Sequence, residues 1–137
     1  MIDHVGLNVR DVAAATEFYL KALAPLGVAI VMQVSAEETG HGAAVGFGAV
    51  GTTPEGLQTG KPSFWIGAGP APSGPLHVAF VAPSRAAVDA FYRAALQAGG
   101  KDNGPPGLRP QYHANYYAAF VFDLDGNNIE AVCHAPQ

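Results

Sequence analysis

Three side chains in this chain are suited to holding a divalent ion: His4, His77 and Glu130. Each histidine opens a segment with the two-residue alternation of a half-buried strand. Two places on, on the same face, stands a small residue, Gly6 or Ala79, which leaves room beside an ion. Glu130 lies in a third alternating segment. There Ile129, Ala131 and Cys133 share one face, and Asn128, Glu130, Val132 and His134 the other. An ionised carboxylate in mid-strand is costly unless something compensates it. Two neutral imidazoles and one carboxylate suit a borderline metal such as Fe, Zn, Mn, Ni or Co, with positions left open for water or substrate oxygens. The competing reading makes the histidines ordinary core or surface residues and Glu130 a solvated edge residue.

An internal repeat favours the metal reading. Shifting the chain by 73 residues lays His4 on His77 and gives 9 identities in the 24 pairs that end at Gly27 and Gly100. Chance in an Ala-rich chain would give about 2. Two copies of one unit set the histidines at equivalent points, and a two-fold relation between the units can bring those points together.

The elements that must position these residues follow the same repeat. Residues 2–9 alternate as a strand. Asp11 caps a helix over about 12–24, which Pro25 and Gly27 stop. Strands follow at 28–35, 43–48 and 62–68, with a loop at 51–60. In the second half, residues 76–82 form a strand, Ser84 caps a helix of about 85–98, and Gly99 and Gly100 end it. Residues 101–107, with two prolines and two glycines, are expected as loop. Residues 116–124 and 128–134 are strands around an Asp125-Gly126-Asn127 turn. The hinge between halves is placed at 69–74, giving module one as about 1–70 and module two as about 75–137.

Composition excludes several classes of function. The 137 residues suit one compact domain, and 49% apolar with 13% charged residues argues against disorder. A net charge of −4 without a Lys/Arg run makes nucleic acid a poor partner. Cys133 is the only cysteine, so no intrachain disulfide marks an oxidising compartment. With no secretory signal pattern and no apolar run of membrane length, the expected place is the cytoplasm, away from any membrane.

The ending from Tyr116 to Glu130, with its Asp-x-Asp-Gly-Asn-x-x-Glu pattern, together with a histidine in each opening strand, resembles the vicinal oxygen chelate superfamily of glyoxalases, bleomycin-resistance proteins, fosfomycin-resistance transferases and extradiol dioxygenases. Leu124 stands where a proline is often found. The resemblance implies an α+β fold: two βαβββ modules in a partly open, eight-stranded mixed barrel, often paired between the chains of a homodimer. It places the metal ligands on His4, His77 and Glu130. Glyoxalase I-like members take a fourth ligand, a carboxylate, from the last strand of the first module. Residues 63–67 here contain no acid, which is closer to the dioxygenases and fosfomycin-type transferases.

The segment Arg109, Tyr112, His113, Tyr116 and Tyr117 is expected to line a mouth over the ion. Arg109 would hold an anionic oxygen, and His113 or Tyr112 would join Glu130 as the catalytic groups. Trp65 is either a stacking wall for substrate or core filling. His134 is four strand residues from Glu130, about 13 Å, too far to share one ion. It and the loop residue His41 are read as surface. The implied function is a metal-dependent enzyme for a small substrate that chelates through neighbouring oxygens, of dioxygenase, lyase/isomerase or transferase type. The alternative is an inert protein that sequesters a small molecule.

Overall fold

The computed structural model of the chain describes residues 2–51, 60–70 and 72–136. The first half runs β1 (Val5–Val9), α1 (Val12–Leu23), a 3-10 turn (Ala24–Leu26), β2 (Val28–Val34), the single-turn α2 (Ala36–Thr39), β3 (Ala44–Ala49) and β4 (Phe64–Ala68). The second runs β5 (His77–Val81), α3 (Arg85–Gln97), β6 (Lys101–Leu108), β7 (Tyr117–Phe122) and β8 (Asn128–Cys133). The two sheets have the same strand order, β1-β4-β3-β2 and β5-β8-β7-β6. In each, the first strand runs parallel to the last and the other neighbours are antiparallel. This is the expected pair of βαβββ units, and the sheets are not closed. The loop expected at 51–60 lies largely outside the described residues, as does part of the hinge.

Both long helices start as their caps require. The Asp11 carboxylate accepts from the Ala14 amide at 3.0 Å and the Ser84 hydroxyl from the Ala87 amide at 3.1 Å. Helix α1 buries Ala15, Phe18, Tyr19, Ala22 and Leu23, and α3 buries Ala87, Val88, Phe91 and Ala95, so each presents one apolar stripe. These stripes cover one face of each sheet, against Leu7, Phe47, Phe64 and Ile66 in the first and Val121, Ile129 and Ala131 in the second. Each large side chain so buried contributes about 1.5–3 kcal/mol. The opposite faces are left without a helix. Period two assigns Gly6, Asn8, Gly46 and Trp65 to that open face in the first half. In the second it assigns His77, Ala79, Phe120, Glu130 and Val132.

One expectation fails. Residues 101–107 are not loop but most of strand β6, paired with β7 through register shifts near Asp102, Gly104 and Gly107. Pro105 and Pro106 lack amide donors, which an edge strand with bulges tolerates. Pairing with β7 overrides the turn chemistry. The 73-residue offset carries β2 onto 101–107, and that was the signal available in the sequence.

The Asp-x-Asp-Gly-Asn ending forms a structural clasp. Asp123, buried, accepts from the amides of Asp125 (2.9 Å) and Asn127 (2.8 Å), from Asn127 Nδ2 (2.9 Å) and from the Tyr19 hydroxyl of α1. Burial first, then the Asp123 charge, pushes the Tyr19 phenol far up, so it stays a donor. Asn127 Oδ1 in turn accepts from the Leu76 amide at 3.0 Å, and Arg10 Nε donates to Asp125 at 2.8 Å. The turn thus aligns β8 with β5 and ties both to the first half.

A candidate metal centre on the open face of the second sheet

Strands β5 and β8 put His77 and Glu130 on one face, and the side chains meet there. His77 Nε2 stands 3.2 Å from Glu130 Oε2. His77 Nδ1 is 3.1 Å from the Asn128 carbonyl oxygen. A carbonyl can only accept, so Nδ1 carries the hydrogen and a neutral ring turns the bare lone pair of Nε2 toward the carboxylate. Two lone pairs at that distance repel unless a cation, a proton or a metal ion, lies between them. Two donors bound to one ion at ligand distances of roughly 2.1 Å stand ~3.0–3.4 Å apart at octahedral to tetrahedral angles. The pair fits such an ion in both donor type and spacing.

Glu130 is buried at 2% exposure, and its second oxygen is also used. Tyr116 Oη donates to Oε1 at 2.6 Å. Burial first, then the bond to Glu130 and its charge, pushes the Tyr116 phenol up to about 12. A raised phenol keeps its proton, so what this bond adds to stability is present below the ordinary value of 10.0 and is lost as pH rises through about 12. Ultraviolet titrations of wild type and Tyr116→Phe should therefore differ by the loss of one of several upward-displaced tyrosine transitions, the one near 12.

His4 does not join this pair within one chain. Its Nδ1 donates to Asp3 at 2.7 Å, and Asp3 also binds Lys61. The His4 bond first, and then Lys61, holds the Asp3 carboxyl below its ordinary value. Among the described residues no three His, Cys, Asp or Glu side chains gather closely enough to hold one ion. Within one chain, then, the structure brings His77 and Glu130 together and leaves His4 apart from them. The two histidines are nonetheless prepared alike. Each has Nδ1 committed to an oxygen acceptor and Nε2 available, the arrangement that outer partners impose on ligating histidines.

The loop between β6 and β7 brings most of the predicted mouth residues to this face, and one departs. The Arg109 guanidinium lies 5.5 Å over the Phe120 ring, while His77 stacks on Phe120 at 6.4 Å. Phe120 is the cross-strand partner of Glu130, so these groups share a surface. The Tyr112 ring is 4.9 Å from that of Tyr116. Tyr117 points the other way: its hydroxyl donates to Asp89 of α3 at 2.7 Å, with Arg85 over its ring. It sits on the helix-covered side and is removed from the site. Trp65 pairs with Gly6 and Gly46 on the open face of the first sheet, apart from Glu130 and not in the core cluster.

His113 lies beside Tyr116, its ring 5.4 Å away. Its Nδ1 accepts from the Asn115 amide at 3.1 Å, so Nε2 carries the hydrogen and donates to His134 Nδ1 at 2.8 Å. Ring centroids 5.1 Å apart leave room only for an edge-to-edge meeting, a true N–H···N bond. Both His113 nitrogens are thus engaged within the chain. His134, expected as a surface bystander, packs beside Tyr116, 5.2 Å from its ring. Continued one step past its last pair, Tyr117 with Cys133, the β7–β8 register sets Tyr116 opposite His134, a relation that the turn at 123–127 made readable in the sequence.

The family model described as the Glyoxalase/Bleomycin resistance protein/Dioxygenase superfamily matches residues 1–131. A glyoxalase/bleomycin resistance protein from Albidiferax ferrireducens is similar in structure, with 27% identity and a TM-score of 0.73 over 98% of this chain and 99% of that one. A mutant of glyoxalase I from Zea mays has 21% identity and a TM-score of 0.66, and 96% of this chain covers 46% of it. A mutant of the fosfomycin resistance protein FosX from Listeria monocytogenes, complexed with Mn(II) and 1S,2S-dihydroxypropylphosphonic acid, has 17% identity and a TM-score of 0.64. It is covered over 88% of its chain by 96% of this one. No curated protein matches the sequence significantly.

Proposed function

This chain belongs to the glyoxalase/bleomycin resistance protein/dioxygenase superfamily, and from that premise we propose a divalent-metal enzyme for a small substrate that chelates the ion through neighbouring oxygens. The observation that carries the reading is the facing of His77 Nε2 and Glu130 Oε2 at 3.2 Å, with the His77 tautomer set by Asn128. Those two atoms hold the ion from one chain. His4 Nε2, with Trp65 on the same open face, comes from a second copy in a homodimer. The unpaired edges support this: among the described residues β1 pairs only with β4 and β5 only with β8. Ile2, Val5, Leu76 and Val81 are exposed in or beside those strands, and open edges call for a cover.

Bound there, a divalent ion supplies Lewis-acid charge to neighbouring oxygens of the substrate. The chain's own groups do the rest. Phe120 and Tyr116 wall the face, Arg109 meets an anionic oxygen, and Tyr112, 63% exposed at the mouth, is the group placed to exchange a proton. The aromatic wall would also serve the inert sequestering reading, which needs no ion.

Mixing two variants tests the shared site. His4→Ala chains and Glu130→Ala chains each lack a complete ligand set, but every mixed dimer regains one intact site. Metal analysis should find no bound ion in either parent and a restored ion in the mixture. A His4→Ala protein that still holds a full complement would sink the shared-site reading. On the substrate side, Arg109→Ala should weaken binding of oxalate, a dianion with neighbouring oxygens, by ~1.5–3 kcal/mol in calorimetry. An unchanged affinity would remove Arg109 from the site.

A further inference from the structure

Glu130 uses its two oxygens differently. Oε1 accepts the Tyr116 hydroxyl at 2.6 Å, and Oε2 faces His77 Nε2. We propose that Tyr116 is a positioning residue that keeps Glu130 a one-oxygen ligand and so sets which ions the centre accepts. The proposal rests on the metal reading above. A carboxylate that grips an ion through both oxygens must turn both toward it. Here one oxygen is engaged by a short bond to a neutral phenol, and the side chain is buried at 2% exposure, so little water competes for that oxygen.

Tyr116 is itself braced. The rings of Tyr112, His113 and His134 surround it at 4.9, 5.4 and 5.2 Å, and the hydrogen bond between the two histidines holds them together. This explains two histidines that the metal does not use: they act on Glu130 only through Tyr116. The consequence is a preference among ions. Calcium favours oxygen-rich shells of six to eight ligands and often takes a carboxylate by both oxygens. A centre of imidazoles and a one-oxygen carboxylate favours first-row transition ions.

The test uses the full chain, with Co(II) and Ca(II) titrated separately into metal-free wild type and Tyr116→Phe. Phenylalanine keeps the ring and its packing and removes only the hydroxyl. The expected result is a loss of Co(II) affinity of about 10–100-fold, no loss for Ca(II), and a changed visible spectrum of the Co(II) form as the freed oxygen turns to the ion. Equal Co(II) affinity and an unchanged spectrum in the variant would overturn the role of Tyr116 alone. So would a fall shared equally by Co(II) and Ca(II) with the spectrum unaltered, since that marks a residue of structure only. A wild type that takes up neither ion would overturn the metal reading and this proposal together.

Discussion

Glu130→Ala and His77→Ala, purified without chelators and reloaded with Fe, Mn, Ni, Co or Zn, should each hold less than about a tenth of an equivalent of metal, where the wild type holds about one per chain. Removing either side chain takes a charged or strongly donating group from a set of three, and two ligands rarely keep an ion against water. Glu130→Ala should cost most, because it removes the only negative charge at the centre and leaves the Tyr116 hydroxyl without its acceptor. The fold should survive both changes: the core is built on the opposite faces of β5 and β8, from Val78, Phe80, Ile129 and Ala131. Circular dichroism therefore separates lost binding from lost structure. His41→Ala serves as the control that keeps its metal. A wild type that binds less than about a tenth of an equivalent would end the enzyme reading and leave the sequestering one.

Asp123→Ala should lower the stability of the protein to urea by ~3–5 kcal/mol. The carboxylate accepts from two backbone amides, the Asn127 amide group and the Tyr19 hydroxyl, all in a buried setting. Truncation strands several donors at once, and a marginally stable domain has only about 5–15 kcal/mol in total. Tyr19→Phe removes one donor and leaves the others, so its cost should be nearer ~1–2 kcal/mol. Because Tyr19 comes from the first half and Asp123 from the second, loss of this clasp should also loosen β8 and weaken metal uptake at Glu130. A midpoint shift for Asp123→Ala no larger than that of Tyr19→Phe would show that water replaces the carboxylate and that the clasp is dispensable.

Local chemistry is what this chain states openly. Asp11 and Ser84 announce two helix starts because their side chains bond amides three residues away. Alternation puts Glu130 with His134 and opposite Ile129, Ala131 and Cys133 because strand side chains switch faces at every residue. The 73-residue repeat foretells two units of one topology, since equal patterns bury equal faces. Where residues compete for partners across the fold, the sequence falls silent. Residues 101–107 carry every mark of a loop, yet pairing with β7 makes them strand. Tyr117 and His113 carry functional side chains, yet Asp89 claims one and Asn115 with His134 claims the other. The repeat makes His4 and His77 equivalents, but equivalence within two units does not determine which two copies face each other. How the halves of one chain meet was decided by the packing of α1 on α3 and by the Tyr19–Asp123 bond. These contacts join the modules through their covered faces and leave the two histidine-bearing faces without a helix over them.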